Sequence, residues 1–335
     1  MSTAALGKEQ LPPGGPSMSE QTRGFVTVGE TMVLLTAERV GPLQHSPGMA
    51  VGIGGAESNV AIALRRLGGP ATWIGRVGAD GFGDLVLREL RAEGLEVRGI
   101  VDDEAPTGLM VKERRTSRSL SVWYYRAGSA GSRLRPADVS EEAIARASLL
   151  HVTGITPALS GSAAEAVRHA LRLARHHGLT VSFDVNYRSR LWTSERACKG
   201  LIDILCDSDV VFAGAEEAEL FVSATDDPLD LAARLADLGP SQVIVKLGAR
   251  GCAAVIDGRR LTRAAVPVDV LDPVGAGDAF VGGYLADLLA GEPPEVRLDT
   301  AVTAGAFACT VSGDWEGLPT RAELGLLARR EDVTR

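Results

Sequence analysis

The stretch Asp272-Pro273-Val274-Gly275-Ala276-Gly277-Asp278-Ala279-Phe280-Val281-Gly282-Gly283-Tyr284 decides how this chain is read. Gly275-Ala276-Gly277 is small enough for backbone N–H groups to converge, directly before a helix expected over 279–289 whose N-terminal end carries the positive pole of its dipole. Such a turn is an anion hole. At its edge, Asp278 is placed to accept a hydroxyl proton while the amides stabilise charge on phosphate oxygens. On this segment alone, the glycines could equally make a tight turn and Asp278 cap a helix. The helix over 279–289 is apolar nearly all round, which predicts a central, buried position.

Working outward, β-branched apolar runs at 149–153, 179–184, 209–213 and 243–247 read as buried strands, and 162–177 and 195–206 as helices with one apolar face. Strand and helix alternating at this spacing predict a parallel sheet with helices on both faces. The first half differs. Residues 107–112 and 119–125 read as paired short strands with no helix between them, a β flap, while 24–35 reads as one strand and 57–67 as a helix stopped by Gly68. No linker interrupts the chain, so one large α/β domain is expected over 24–330, with lid strands from about 30–50 and 105–126. Residues 1–23, with Pro12, Pro13, Gly14, Gly15 and Pro16 among polar neighbours, read as a disordered tail.

The 335 residues, 45% hydrophobic and 23% charged, have ordinary globular usage and can bury a large core. A formal net charge of -8 argues against a nucleic-acid partner, because phosphate backbones are bound through accumulated Lys and Arg. No apolar run reaches the roughly 18 residues of a membrane span, and no export signal is evident, so a cytoplasmic protein without membrane contact is expected. Cys198, Cys206, Cys252 and Cys309 form no CxxC pair and the histidines no HExxH, which leaves zinc unsupported. There is also no GxxxxGK[ST], and no GxGxxG after a first strand, so neither a phosphate-loop NTPase nor a dinucleotide dehydrogenase is indicated.

Open parallel sheets bind ligands beyond the carboxyl ends of their strands. Five segments fall there: His151-Val152-Thr153-Gly154, Asp184-Val185-Asn186-Tyr187-Arg188, Gly214-Ala215-Glu216-Glu217, Lys246-Leu247-Gly248-Ala249-Arg250-Gly251 and the quoted stretch. Between 112 and 135, Lys112, Arg114, Arg115, Arg118, Arg126, Arg133 and Arg135 stand against Glu113 alone, a local reversal in an acidic chain that suits an anionic substrate. Most of them also suit a solvated strand edge. Arg126 and Arg188 are singled out as ligands.

The quoted stretch closely resembles the C-terminal signature of the PfkB sugar kinases, the ribokinase-like family. Gly54-Gly55-Ala56-Glu57-Ser58-Asn59 resembles that family's N-terminal glycine motif, and the likeness extends over about 25–325. Three further segments look like 2-keto-3-deoxygluconate kinases: Tyr124-Tyr125-Arg126 with Gly128-Ser129-Ala130, Asp184 to Arg188 with Leu191-Trp192, and Gly313-Asp314-Trp315-Glu316-Gly317. The resemblance implies a three-layer α/β/α sandwich with a mostly parallel sheet and a small β lid. It implies transfer of the ATP γ-phosphate to an acidic sugar, 2-keto-3-deoxygluconate giving its 6-phosphate, with a neutral-sugar kinase (fructokinase or ribokinase) as the alternative and a non-catalytic regulator as the more distant one.

By the same resemblance Gly55, Ala56, Glu57, Ser58, Asn59, Tyr124, Tyr125, Arg126, Arg188 and Asp314 line the sugar pocket. Asn186, Tyr187, Arg188, Lys246, Leu247, Gly248, Ala249, Arg250, Gly251, Gly275, Ala276 and Gly277 face ATP, and Asp278 is the base. Mg2+ accompanies the nucleotide, a monovalent cation is an optional addition, and pairing of lids implies a homo-oligomer. Two positions depart from the family pattern. Met110 stands where an aromatic is common, and Gly214-Ala215-Glu216-Glu217 keeps Glu217, the candidate organiser of metal-bound water, but lacks the asparagine of N-x-x-E.

Overall fold

The computed structural model describes residues 24–116 and 119–328; the tail expected over 1–23 and Arg118 lie outside the described residues. In chain order the elements are β1 (Gly24–Val28), β2 (Met32–Ala37), β3 (Met49–Gly54), α1 (Ala56–Arg66), β4 (Ala71–Gly78), α2 (Gly81–Ala92), β5 (Glu96–Asp102), β6 (Leu109–Thr116) and β7 (Ser119–Tyr125). There follow α3 (Glu141–Ala145), β8 (Ala147–Thr153), α4 (Thr156–Leu159), α5 (Gly161–His176), β9 (Thr180–Asp184), α6 (Ser194–Cys206), β10 (Val210–Gly214), α7 (Ala215–Ala218) and α8 (Pro228–Ala236). The chain closes with β11 (Gln242–Lys246), β12 (Cys252–Ile256), β13 (Arg259–Arg263), α9 (Ala276–Leu289) and α10 (Pro294–Ala308).

Nine strands form one sheet in the order β13-β12-β11-β10-β9-β8-β1-β4-β5, parallel except at β12 and β13. Its inner strands are apolar on both sides because helices cover both faces. Val181, Phe183, Val211 and Val243 pack toward α5, α6 and α8, whereas Phe212, Ile244 and Phe25 pack toward α1, α9 and α10. A second sheet, β3-β2-β6-β7, is the lid; Met32, Leu34 and Met110 form its own small core with Val122 against them. The result is the three-layer ribokinase-like α/β architecture with a small second sheet.

Two boundaries differ from expectation. The run 24–35 is two strands in different sheets: Gly29 still donates to the Ile74 carbonyl (3.0 Å), but Glu30 and Thr31 turn the chain away and Val33, in register with Leu109, donates to the Gly108 carbonyl (3.0 Å). The break falls at Gly29 because the Glu57 carboxyl lies where its Cβ would stand, 2.3 Å off. The second difference is the start of α9, which begins at Ala276, so the anion turn forms the helix's first turn instead of preceding it. Gly282 and Gly283 explain the close packing of that helix: added Cβ atoms would meet Ala63 of α1 at 2.4 Å and Ala301 of α10 at 3.1 Å. Among the described residues no helix is long and apolar enough to cross a membrane.

Candidate active site

β1 and β8 are neighbours from which the connected strands run in opposite directions, toward β4 and toward β9. A crevice opens where connections diverge in this way, beyond the carboxyl ends of the strands. Beyond β9 and β11 lies the turn that begins α9. Gly275 has φ of 82°, a left-handed conformation suited to glycine, and a Cβ there would stand 1.9 Å from the Asp314 carbonyl oxygen. No side chain caps α9; Ala276 N donates to the Pro273 carbonyl (3.3 Å), and the positive end of the helix at Gly277 and Asp278 suits an external anion.

Asp278, in that first turn, is partly buried and accepts a hydrogen bond from Asn59 Nδ2 at 2.8 Å. The two glycine motifs, 219 residues apart in sequence, thus meet at one carboxylate. Burial pushes the Asp278 pKa up to about 7; nearby Asp184 adds to the rise, and Asn59, Arg188 and Lys246 offset part of it. The carboxylate is poised to gain or lose a proton near neutrality.

Lys246, at the end of β11, reaches across to Asp184 at the end of β9, with its ammonium 2.8 Å from both carboxylate oxygens. Burial works against that ammonium's charge, but Asp184 and Glu217 hold its pKa above the ordinary value. Burial raises the Asp184 pKa, against the pull of Lys246. Lys246 Nζ lies 3.8 Å from where a Gly277 Cβ would sit, so a cation stands beside the amide turn. Glu217 uses both oxygens on backbone amides, Gly214 N (2.6 Å) and Tyr187 N (2.9 Å), and so ties the β9 and β10 loops together. Asn186 is buried with φ of 41°, Arg188 is exposed, and Gly248, Ala249 and Arg250 form an exposed 3-10 turn closed by Gly251 N donating to the Gly248 carbonyl. Leu247 N in turn donates to the Gly251 carbonyl.

On the sugar side the structure gathers only part of the expected set. Gly55 packs on the Glu30 carbonyl, Ala56 and Ser58 begin α1, and Ser58 Oγ donates to the Gly55 carbonyl. Glu57 turns inward: Thr153 and Thr156 hydroxyls donate to it at 2.7 and 2.6 Å, and burial raises its pKa. Arg126 is held by Glu30 through two nitrogens, at 2.8 and 2.5 Å, and Ser129 hydrogen bonds the other Glu30 oxygen. Tyr124, half-exposed, lies 5.8 Å from the Arg126 guanidinium, and Tyr125 is exposed. Asp314 is buried and bound to Lys112 at 2.5 Å.

Lys112, named only within the cationic run, and Asp272, named only within the quoted stretch, had no separate role in the sequence reading, and Glu30 was not expected at the site. Lys112 stands two residues after Met110 on β6, on the same buried face, and that parity was the available signal. Glu30 carried no local signal; only the folded chain brings it to Arg126. Among the described residues, no cluster of three or more His, Cys, Asp or Glu could by itself cage a metal ion.

The model for "pfkB family carbohydrate kinase" matches residues 23–321. The chain is 36% identical over 309 residues to a 2-dehydro-3-deoxygluconokinase of Bacillus subtilis strain 168, spanning 89% of this chain and 93% of that one. Among solved structures it is similar to the 2-dehydro-3-deoxygluconokinase of Thermotoga maritima (TM-score 0.80, 28% identity, 91% of this chain and 99% of that one). It is also similar to a fructokinase of Vibrio cholerae O395 bound to fructose, ADP and calcium (TM-score 0.79, 26% identity, 92% and 100% covered). With two glycine motifs joined at Asp278 and a family match over almost its whole described length, this chain belongs to the pfkB family of carbohydrate kinases.

Proposed function

We propose that the protein transfers the γ-phosphoryl group of ATP to the 6-hydroxyl of 2-dehydro-3-deoxygluconate. The observation that carries this reading is the Asn59–Asp278 hydrogen bond at the uncapped start of α9, which sets a general base of near-neutral pKa beside an anion site. Asp278 takes the hydroxyl proton, the sugar oxygen bonds to the γ-phosphorus, and the bond from that phosphorus to the β–γ bridging oxygen breaks, leaving ADP. The Gly275 to Gly277 amides and Lys246 oppose the charge on the moving group. The uncapped amides and Lys246 fit a triphosphate. A divalent ion arriving with the nucleotide would be held by the phosphates and, through water, by Asp184 and Glu217; it would neutralise phosphate charge.

The acidic substrate is supported by Arg126 and Arg188, and by the likeness to 2-dehydro-3-deoxygluconokinases. One observation favours a neutral sugar instead: the Arg126 guanidinium is already neutralised by Glu30. A panel of acidic and neutral sugars, with ADP release measured with and without Mg2+, and with potassium against sodium, separates the readings. Turnover of fructose or ribose well above the keto-deoxy acid would overturn the acidic substrate; no ADP from any sugar would overturn the kinase. Exposed Val51, Trp123 and Tyr125 on the lid support self-association through that sheet, which sedimentation would read.

A further inference from the structure

Lys112 belongs to the lid, yet its ammonium is wholly buried at the root of the anion turn. It lies 3.1 Å from Asp272 Oδ2 and 2.5 Å from Asp314 Oδ1. Both carboxylates shape that turn. Asp272 Oδ1 accepts from Val274 N (3.1 Å) and its Oδ2 from Gly313 N (3.3 Å), so the segments before Gly275 and before Asp314 share one carboxylate. The Asp314 carbonyl is the surface on which Gly275 rests, and its carboxylate lies against Gly54 of the N-terminal glycine motif together with Met110 of the lid. Three parts of the site therefore converge here: the lid strand, the sugar motif and the phosphate turn.

We infer that Lys112 is a positioning residue for phosphoryl transfer, fixing the Gly275 turn and cancelling two carboxylates that would otherwise repel the incoming phosphates. The inference rests on the phosphotransferase reading above. Without the ammonium, the two buried carboxylates would keep only the more distant Arg114 guanidinium, 3.9 Å from Asp272 Oδ2, with Glu316 close by, a costly arrangement relieved by moving the loops that carry them. Those loops support Gly275, so relief would come at the expense of the amide geometry that meets the phosphate. Because Lys112 rides on β6, the same bridge ties lid position to the state of the anion turn. A crevice of about 220 Å³, whose walls include Arg39, Arg114, Leu271, Asp272 and Ser312, runs beside the cluster.

The test uses the full chain and the sugar on which the parent shows most turnover. Lys112→Ala is expected to lower kcat roughly 30-fold or more while the sugar KM stays within about threefold. Methylammonium should restore kcat at least about fivefold in that variant and leave the parent unchanged. Asp314→Asn, which keeps the Lys112–Asp272 bridge, should lose about three- to tenfold in kcat, and it decides the matter if Lys112→Ala does not fold. Variants that melt lower but keep kcat within twofold of the parent would reduce the cluster to a stability element and overturn the assignment. A loss in kcat that methylammonium leaves unchanged would overturn the charge-based role. A parent inactive on every sugar removes the kinase reading and this inference with it, whereas an active parent beside fully active variants removes the inference alone.

Discussion

The two walls of the cleft are prepared in different ways. The wall proposed to meet the phosphates is mostly backbone: an uncapped helix start, a glycine in the left-handed region and one lysine pinned by Asp184. The wall proposed to meet the sugar is mostly side chain, and one of its cations, Arg126, is engaged by Glu30 before any substrate arrives. A backbone site costs no rearrangement when an anion enters, whereas a paired guanidinium must exchange or share its partner. The difference suggests a division of labour, with one wall fixed for a group common to every turnover and the other adjustable to the acceptor.

The sharpest way to break this comparison is at the residue that both walls touch. Asp278→Asn is expected to lower kcat by about 10² or more with little change in ATP affinity, measured by steady-state kinetics and nucleotide titration. Near-normal turnover would remove Asp278 as the base. The same variant should melt no lower than the parent at pH 8. The folded-state pKa of Asp278 is raised to about 7, so its contribution to stability is present at low pH and lost as pH rises from the unfolded carboxylate range through 7. Asparagine escapes that loss.

Gly275→Ala attacks the phosphate wall alone. A Cβ 1.9 Å from the Asp314 carbonyl, at φ of 82°, forces the turn to move, and a fall in kcat of roughly 30-fold with a lower melting temperature is expected. Next in size is the pH profile of kcat/KM, which should fall about tenfold from pH 8 to pH 6 as Asp278 takes up a proton. A flat profile would show that another group sets the rate. The smallest effect belongs to the proposed sugar wall: Arg126→Ala should reduce kcat/KM about fivefold for the acidic sugar and less than about twofold for a neutral one. Equal losses on both would mean that Arg126 holds Glu30 in place and does not read a carboxylate.

The turn at the start of α9 was legible in the sequence as a glycine turn leading into a helix because its parts are contiguous. Gly275, Gly277 and Asp278 sit within four positions, and a turn, a dipole and a carboxylate at that spacing have few joint uses. The parallel sheet was legible for a similar reason, since apolar runs alternating with amphipathic helices report their own burial. What escaped was pairing at long range. Glu30 reaches Arg126 across 96 positions and Lys112 reaches Asp272 across 160, and nothing in the local pattern of either residue names its partner. Glu57 shows the same limit from the other side. Within Gly54 to Asn59 it looks like a pocket carboxylate, yet the helix it begins turns it toward Thr153 and Thr156 while Asn59 is turned toward Asp278.

Only Gly29, Glu30 and Thr31 separate β1, an inner strand of the large sheet, from β2, an inner strand of the lid. Three residues span at most about 10 Å, so the covering sheet is on a short leash and can tilt about that point but cannot lift away from it. On the function proposed above, a long saccharide would hold a cover tethered in this way ajar and admit the water that competes for the phosphoryl group.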